Sequence, residues 1–139
     1  MRLSSDNGDY VALQRSDVDA HDVLIVAAVS RSGFSATIDA WISAGAWHSF
    51  AQQLSVLEEL RQGKASVASL SPGELELTVR SLDRAGHLGA EGLVGIRTFD
   101  SEVCLTFSAF AFDPSQLPAF AREARSIAAA IASPGRSRL

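Results

Sequence analysis

The spacing of apolar residues between Gly33 and Gly63 changes from the two-residue period of a strand to the period of a helix. In the first part every second residue is apolar, which predicts a strand with one buried face. These alternating residues are Phe34, Ala36, Ile38, Ala40 and Ile42. Beyond Gly45 the apolar residues recur at helical spacing, as Trp47, Phe50, Leu54, Leu57 and Leu60. Because glycine adopts a left-handed backbone without a steric clash, we expect Gly63 to end this helix.

Strands are also predicted on both sides of this segment. Residues 9–15 form the first, and residues 23–29, which are apolar at every position, predict a central strand covered on both faces. The turn between them is marked by three carboxylates, Asp17, Asp19 and Asp22. After the first helix, strands are predicted at residues 65–70, 74–82, 87–99 and 102–112. In the last of these the apolar residues change parity between Phe107 and Phe110, which predicts a bulge near Ala109 or burial on both faces.

A second helix is predicted near the end of the chain. It begins at Asp113 or at Ser115. Ser115 is the preferred N-cap, because Pro118 then falls in the first turn, where its missing N–H breaks no helical hydrogen bond. The two predicted helices span about 46–62 and 115–132. Together with the strands they give the order βββ-α-ββββ-α. This order predicts an α+β fold in which both helices pack on one antiparallel sheet of about six to seven strands. We expect a single domain over residues 1–139, with flexible ends at residues 1–8 and 133–139.

The composition is that of a globular domain and not of a disordered chain. Of the 139 residues, 47% are hydrophobic and 20% are charged, which provides enough apolar side chains for a continuous core. The net charge of −4 argues against a nucleic-acid binder, since such proteins need a basic face to contact phosphates. We therefore expect no nucleic-acid partner, and the charge favours a basic protein partner instead.

The single cysteine and the length of the apolar runs indicate where the protein acts. Cys104 has no second cysteine with which to form an intramolecular disulfide, which favours a reducing compartment. The longest apolar run, residues 23–29, is far shorter than a membrane span. We therefore expect a cytoplasmic protein with no membrane partner. Because Cys104 lies in an apolar strand, we expect its side chain to be buried.

No pattern of reactive side chains predicts an enzyme. The histidines, His21, His48 and His87, stand apart in the chain, and none has a second ligand at metal-binding spacing. The glycines of residues 89–95 lack the strand, loop and helix context of a phosphate-binding loop. We therefore predict no catalytic residues, no metal site and no cofactor.

Two groups of residues on predicted strands are candidates for contact with a partner. Trp41 shares the polar side of its strand with Asp39, and a tryptophan beside a carboxylate on an exposed sheet face would anchor a partner. The first helix could equally fold back and cover Trp41. The second group, Glu74, Glu76 and Arg80, lies on the second strand predicted after the first helix.

Several local strings, together with the order of the elements, follow the pattern of one protein family. They are Gly33-Phe34-Ser35-Ala36 leading to Trp41-Ile42, the helix from Trp47 to Leu54, the helix exit Leu60-Arg61-Gln62-Gly63-Lys64-Ala65, and the late Leu-Phe strand before Gln116-Leu117. Over roughly residues 10–130 the chain resembles the WapI-type immunity proteins, a bacterial family of small cytoplasmic proteins. The resemblance implies a non-enzymatic protein that binds and blocks a cognate toxin, commonly a nuclease domain delivered between competing bacteria. It implies no catalytic residue.

Two other functions stay open at this point. A small-molecule-binding or regulatory domain would hold an apolar pocket between the sheet and the helices. An enzyme would require a pocket with at least two convergent titratable side chains. An immunity protein instead predicts a polar, acidic patch on a solid core, which would suit a basic nuclease. Exposed edge strands would also allow a homodimer.

Overall fold

Within residues 1–136, eight strands form two four-stranded antiparallel sheets, and one long helix follows each sheet in the chain. The structure is a computed structural model that describes residues 1–136, without the side chains of Ala109 and of residues 132–136. Sheet A contains β1 (Arg2–Ser4), β2 (Tyr10–Val18), β3 (Asp22–Arg31) and β4 (Phe34–Ser43). Sheet B contains β5 (Lys64–Ala68), β6 (Leu75–Ser81), β7 (Leu88–Arg97) and β8 (Glu102–Phe112). Helix α1 spans Ala44–Leu60, and α2 spans Leu117–Arg136 after a short 3-10 turn at Pro114–Gln116.

The predicted α+β class is confirmed, as are the two helices and the four strands between them. The structure corrects one detail, because two sheets of four strands replace the single sheet of about six to seven strands. Each strand pairs only with its neighbours in the chain, and α1 separates the two groups. A hydrophobic period identifies the faces of a strand but not the strand with which it pairs, so the division was not visible in the sequence.

An additional strand, β1, lies within residues 1–8, which we expected to be a flexible end. It pairs with β2, and Leu3 is completely buried. The Gln116 side chain also binds it, since Oε1 accepts the Ser4 N–H and Nε2 donates to the Ser4 carbonyl oxygen, each at 2.8 Å. A strand of three residues is too short to show a hydrophobic period.

Helix α1 begins and ends with specific hydrogen bonds. The Ser43 hydroxyl oxygen accepts the Ala46 N–H at 3.1 Å, which caps the first turn. Its buried residues are Trp47, Phe50, Ala51, Leu54 and Leu57. The predicted end at Gly63 is wrong, because Arg61 adopts the left-handed conformation, with φ at 57°, and its N–H donates to the Leu57 carbonyl oxygen. Leu60, the last of the apolar residues at helical spacing, is 61% exposed in the last turn.

Helix α2 follows a turn capped by Asp113, whose carboxylate accepts the Ser115 N–H at 2.9 Å. Of the two predicted starts, the structure therefore uses Asp113 and not the preferred Ser115 as the capping residue. The helix continues to Arg136, past the predicted end at residue 132. The rest of the predicted tail, residues 137–139, lies outside the described part of the chain. The helix packs on α1, and its buried residues include Phe120, Ala121, Ala124, Ala128 and Ile131.

Strand β8 carries the bulge that its change of parity predicts. Ala90 of β7 pairs with Phe110, and Gly92 pairs with Phe107, so one residue of β7 lies opposite two residues of β8. The extra residue brings Phe110 and Phe112 to the same face as Phe107, and all three are buried. The prediction of a bulge near Ala109 is confirmed.

The buried residues of both sheets and both helices form one continuous core. Only one face of β3 belongs to it. Val23, Ile25, Ala27 and Val29 are buried, whereas Leu24, Val26 and Ala28 on the other face are half-buried. The prediction that β3 is covered on both faces therefore holds for one face, and sheet A has an outer face that points away from the core.

Candidate functional site

Asp39 and Trp41 lie on the outer face of sheet A. Val26 of β3 is directly opposite Asp39, and Leu24 is directly opposite Trp41. Trp41 is 37% exposed, so neither helix covers it completely. Of the two alternatives that the sequence left open, the structure shows a partly exposed tryptophan beside a carboxylate.

Leu70 adds an exposed apolar side chain at the edge of β4, next to the backbone of Trp41. Its N–H donates to the Trp41 carbonyl oxygen at 2.8 Å, which holds the loop between β5 and β6 against β4. More than half of Leu70 is exposed, and Leu24 and Val26 are half-buried on the face that carries Trp41. We call these four residues the apolar centre: Leu24, Val26, Trp41 and Leu70.

Two further carboxylates project from the outer face of sheet A near Trp41. Directly opposed residues of an antiparallel pair project from the same face. Asp17 lies opposite Leu24, and Asp22 lies opposite Ser43. Both therefore project from the face that carries Trp41.

Asp19, in the turn between β2 and β3, adds a fourth carboxylate at this end of the sheet. Its Oδ1 accepts the backbone N–H of His21 at 2.8 Å and that of Asp22 at 2.7 Å. These hydrogen bonds stabilise the ionised carboxylate and so lower the pKa of Asp19 from its usual value. The hydrogen bond from the His21 N–H makes the largest contribution to this shift, and that from the Asp22 N–H the next. We call the four carboxylates the acidic rim: Asp17, Asp19, Asp22 and Asp39.

The second predicted group lies on strand β6 of sheet B and in the loop before it, so it belongs to a different sheet from Trp41. Glu76 and Arg80 are exposed on the outer face of β6. Arg80 is engaged in an ion pair, because its Nε lies 2.6 Å from Glu91 Oε1. Glu74 precedes β6 and is half-buried. The five candidate residues thus divide between two sheets.

A groove of about 620 Å³ opens between the start of β4 and the β7–β8 hairpin. Phe34, Ile96 and Val103 line it, and each is more than half exposed. Cys104 also lines this groove and is exposed. The predictions that Phe34 and Cys104 are buried are wrong, because parity places a residue on a face but does not show whether that face is covered at that point. The groove lies between the two sheets, whereas the sequence suggested a pocket between sheet and helices.

The three histidines are exposed and lie on separate elements. His87 Nδ1 is 2.6 Å from Asp83 Oδ2, and this hydrogen bond is the main cause of a lowered pKa for Asp83. Within residues 1–136, no group of three His, Cys, Asp or Glu side chains is placed to hold a metal ion. No helix in the described part of the chain is both long enough and apolar enough to span a membrane.

Comparison with protein families gives a match over nearly the whole chain. The family described as the immunity protein WapI-like family matches residues 2–132. No curated protein and no solved structure matches the chain significantly. The strings that carry the resemblance in the sequence, from Gly33 to Gln116-Leu117, all fall within the matched range. The chain therefore belongs to the WapI-like immunity protein family.

Proposed function

We propose that this protein neutralises a cognate bacterial toxin by binding it in a stoichiometric complex. Membership of the WapI-like immunity protein family supports an immunity role. The observation that carries the binding mode is the partly exposed Trp41, beside Asp39 on a sheet face that points away from both helices. Tryptophan is enriched among the residues that contribute most to binding at protein interfaces.

Strands β3 and β4 present Trp41 on a rigid support. The two strands pair without a bulge along their whole length. The first pair is Asp22 and Ser43, and the last is Arg31 and Phe34. A surface that is already ordered loses little conformational entropy on binding, which favours high affinity. Such a surface suits an inhibitor that acts by occupying its target and performs no reaction itself.

The proposed partner is a toxin domain, and the resemblance of the sequence to immunity proteins favours a nuclease delivered between competing bacteria. In this proposal the complex forms in the cytoplasm, where an incoming nuclease would reach nucleic acid. The protein itself contacts the toxin and neither nucleic acid nor membrane.

Co-expression tests the proposal. The tagged full-length chain is expressed with each C-terminal toxin domain encoded in the same genome, and both capture and growth are measured. We expect one domain to be captured, to form a one-to-one complex by light scattering, and to lose its toxicity. If every domain escapes capture and remains toxic in the presence of the protein, the proposal is wrong.

Substitutions then test the face. Trp41→Ala removes a central aromatic anchor, and we expect it to weaken binding by about 2 kcal/mol or more, roughly 30-fold in Kd. Asp39→Ala is expected to weaken binding as well. Val56→Ala removes an exposed apolar side chain of α1 and serves as the matched control, for which we expect unchanged affinity. Wild-type affinity of Trp41→Ala would exclude this face.

The residues of sheet B are tested in the same assay. Glu76→Ala and Arg80→Ala change the outer face of β6, and Arg80→Ala also breaks the ion pair with Glu91. We propose that the Trp41 face dominates, since Arg80 already has a partner within the chain. If Glu76→Ala weakened binding more than Trp41→Ala, the interface would lie on sheet B and not on the outer face of sheet A.

A second candidate function is the binding of an apolar small molecule in the groove between the sheets. The observation that favours it is the volume of about 620 Å³, which lies in the range of ligand sites, together with the exposed Phe34, Ile96 and Val103. Titration with an environment-sensitive apolar dye tests it. We expect saturable binding that Val103→Ser abolishes and Leu82→Ser, at an exposed position elsewhere, retains. Dye binding that does not saturate would contradict this function.

A further inference from the structure

The apolar centre and the acidic rim lie at the same end of sheet A. All but two of their residues project from its outer face by strand parity, while Leu70 and Asp19 lie in loops at that end. The apolar centre consists of Leu24, Val26, Trp41 and Leu70, and the acidic rim of Asp17, Asp19, Asp22 and Asp39. Protein interfaces have this arrangement, with a water-excluding apolar centre and charged residues around it. The apolar centre provides burial, while the charges determine which partner can approach.

The carboxylates of the acidic rim form no ion pair with any cation among residues 1–131, the part of the chain whose side chains are described. The ion pairs in this part of the chain involve other carboxylates, those of Asp9, Glu58, Asp83, Glu91, Glu102 and Glu123. Arg2 projects from the same face but stacks on Tyr10, with its Cζ 3.9 Å from the ring centroid, at the opposite end of the sheet. Arg15 lies opposite Ile25, whose side chain belongs to the core. The acidic rim therefore presents unbalanced negative charge to solvent.

Charge complementarity decides between the classes of partner for this surface. A second copy of the chain would bring two acidic rims together, and like charges facing each other at an interface cost free energy. Nucleic acid would be repelled by the same carboxylates. Lysine and arginine side chains of another protein would be attracted, and the attraction strengthens as water leaves the interface.

We propose that this face docks a basic protein surface, whose Lys and Arg side chains face the acidic rim while an apolar patch covers the apolar centre. The identification of that basic protein as a toxin rests on the proposed function. The docking chemistry rests only on the arrangement of the two sets of residues. Association should be steered by charge, with a rate constant that falls steeply as salt is added.

A defined basic probe tests the docking chemistry without any toxin. The full-length chain, labelled with ¹⁵N, is titrated with a decalysine peptide at low salt and followed by NMR. We expect saturable shifts of the Asp17, Asp22 and Asp39 amides and of the Trp41 indole, which about 0.5 M NaCl should reverse. The amide shifts of Glu58 and Glu59, two consecutive carboxylates on α1, are the internal comparison. Shifts centred on α1, or spread evenly over all acidic residues, would overturn the proposal.

A pair of charge reversals tests the same surface with the captured toxin domain. Asp39→Lys and Glu59→Lys change the net charge equally, so they differ only in position. We expect Asp39→Lys to lower the association rate constant at low salt about ten-fold or more, and Glu59→Lys to leave it nearly unchanged. Thermal unfolding of both variants verifies that they fold. Equal rate constants for the two variants would overturn the proposal.

The two experiments separate this inference from the proposed function. If a toxin is captured and neutralised but Asp39→Lys does not change its association rate constant, the docking surface is wrong and the immunity function stands. If decalysine selects the acidic rim but no toxin is neutralised, the immunity function is wrong and the basic partner is another protein. If no toxin domain is captured at all, the peptide titration alone decides whether the docking surface is correct.

Discussion

The indole N–H of Trp47 donates a hydrogen bond of 3.0 Å to the backbone carbonyl oxygen of Ala124 and so joins α1 to α2. Both residues are completely buried. The Trp47 ring also packs edge-on against Phe50, with 5.4 Å between the ring centroids. Trp41, the other tryptophan of the chain, is partly exposed on the outer face of sheet A. The two tryptophans therefore have different roles, one in the core and one at the surface.

Trp47→Phe should destabilise the fold, because it removes the hydrogen bond to Ala124 and leaves a void between the helices. We expect the free energy of unfolding to fall by about 2 kcal/mol. Urea denaturation followed by circular dichroism measures this change. Trp41→Phe is the matched control and should change stability by less than about 0.5 kcal/mol. Equal effects of the two substitutions would show that Trp47 does not join the helices as described.

Gly92→Ala should be among the most damaging small substitutions. An added Cβ atom would lie 2.0 Å from the backbone carbonyl oxygen of Glu76, so β6 and β7 would have to separate. We expect a loss of about 3 kcal/mol or more, measured by thermal unfolding.

Gly45→Ala is the matched control for that substitution. A Cβ atom at Gly45 in α1 would meet no atom within 4 Å, and alanine favours the helical conformation. We expect Gly45→Ala to raise stability by up to about 0.5 kcal/mol. A Gly92→Ala protein as stable as Gly45→Ala would contradict the close approach of the two strands.

Gln116→Ala should loosen β1. The substitution removes both hydrogen bonds to the Ser4 backbone, and we expect a loss of about 1–2 kcal/mol. Hydrogen exchange should become faster at the Ser4 amide, whose N–H loses its acceptor. Gln52→Ala, at an exposed position of α1, should change neither quantity. Unchanged exchange in Gln116→Ala would mean that pairing with β2 alone holds β1 in place.

Asp113 should contribute to stability in a way that depends on pH. The Ser115 backbone N–H and hydroxyl donate to its carboxylate and lower its pKa from the usual 3.8. Because the pKa is lower in the folded protein, the contribution is present above about pH 4 and is lost as the pH falls through the folded pKa. Asp113→Asn keeps an acceptor that does not titrate. Between about pH 5 and pH 2.5, we expect the melting temperature of the wild type to fall more than that of Asp113→Asn. Parallel decreases would contradict this assignment.

Local sequence patterns predicted most elements because the period of a strand or a helix involves neighbouring residues only. The change of period near Gly45 separates β4 from α1 in the structure as it does in the sequence. Helix ends were less predictable, since they depend on single hydrogen bonds. Arg61 makes the bond that ends α1, although Gly63 is the better left-handed residue by intrinsic preference.

The candidate surface was predictable in part. The parity of β4 put Asp39 and Trp41 on one side of a strand, and the structure places both on the outer face of sheet A. The sequence assigned Asp17 only to a turn. Its position on the same face as Trp41, with Leu24 between them, depends on the β2–β3 register, which shifts between Arg15 and Asp17. Three carboxylates close together in the sequence, with no lysine or arginine between Asp17 and Asp22, were the available signal.

The sequence by itself determined the α+β class, the two helices, the change of parity in β8 and the family resemblance, because each depends on residues that are close together in the chain. Only the tertiary structure decided the division into two sheets, the exposure of Phe34 and Cys104, and the position of Asp17 on the same face as Trp41. These features depend on pairing and coverage between residues far apart in the chain, which a local hydrophobic pattern does not record.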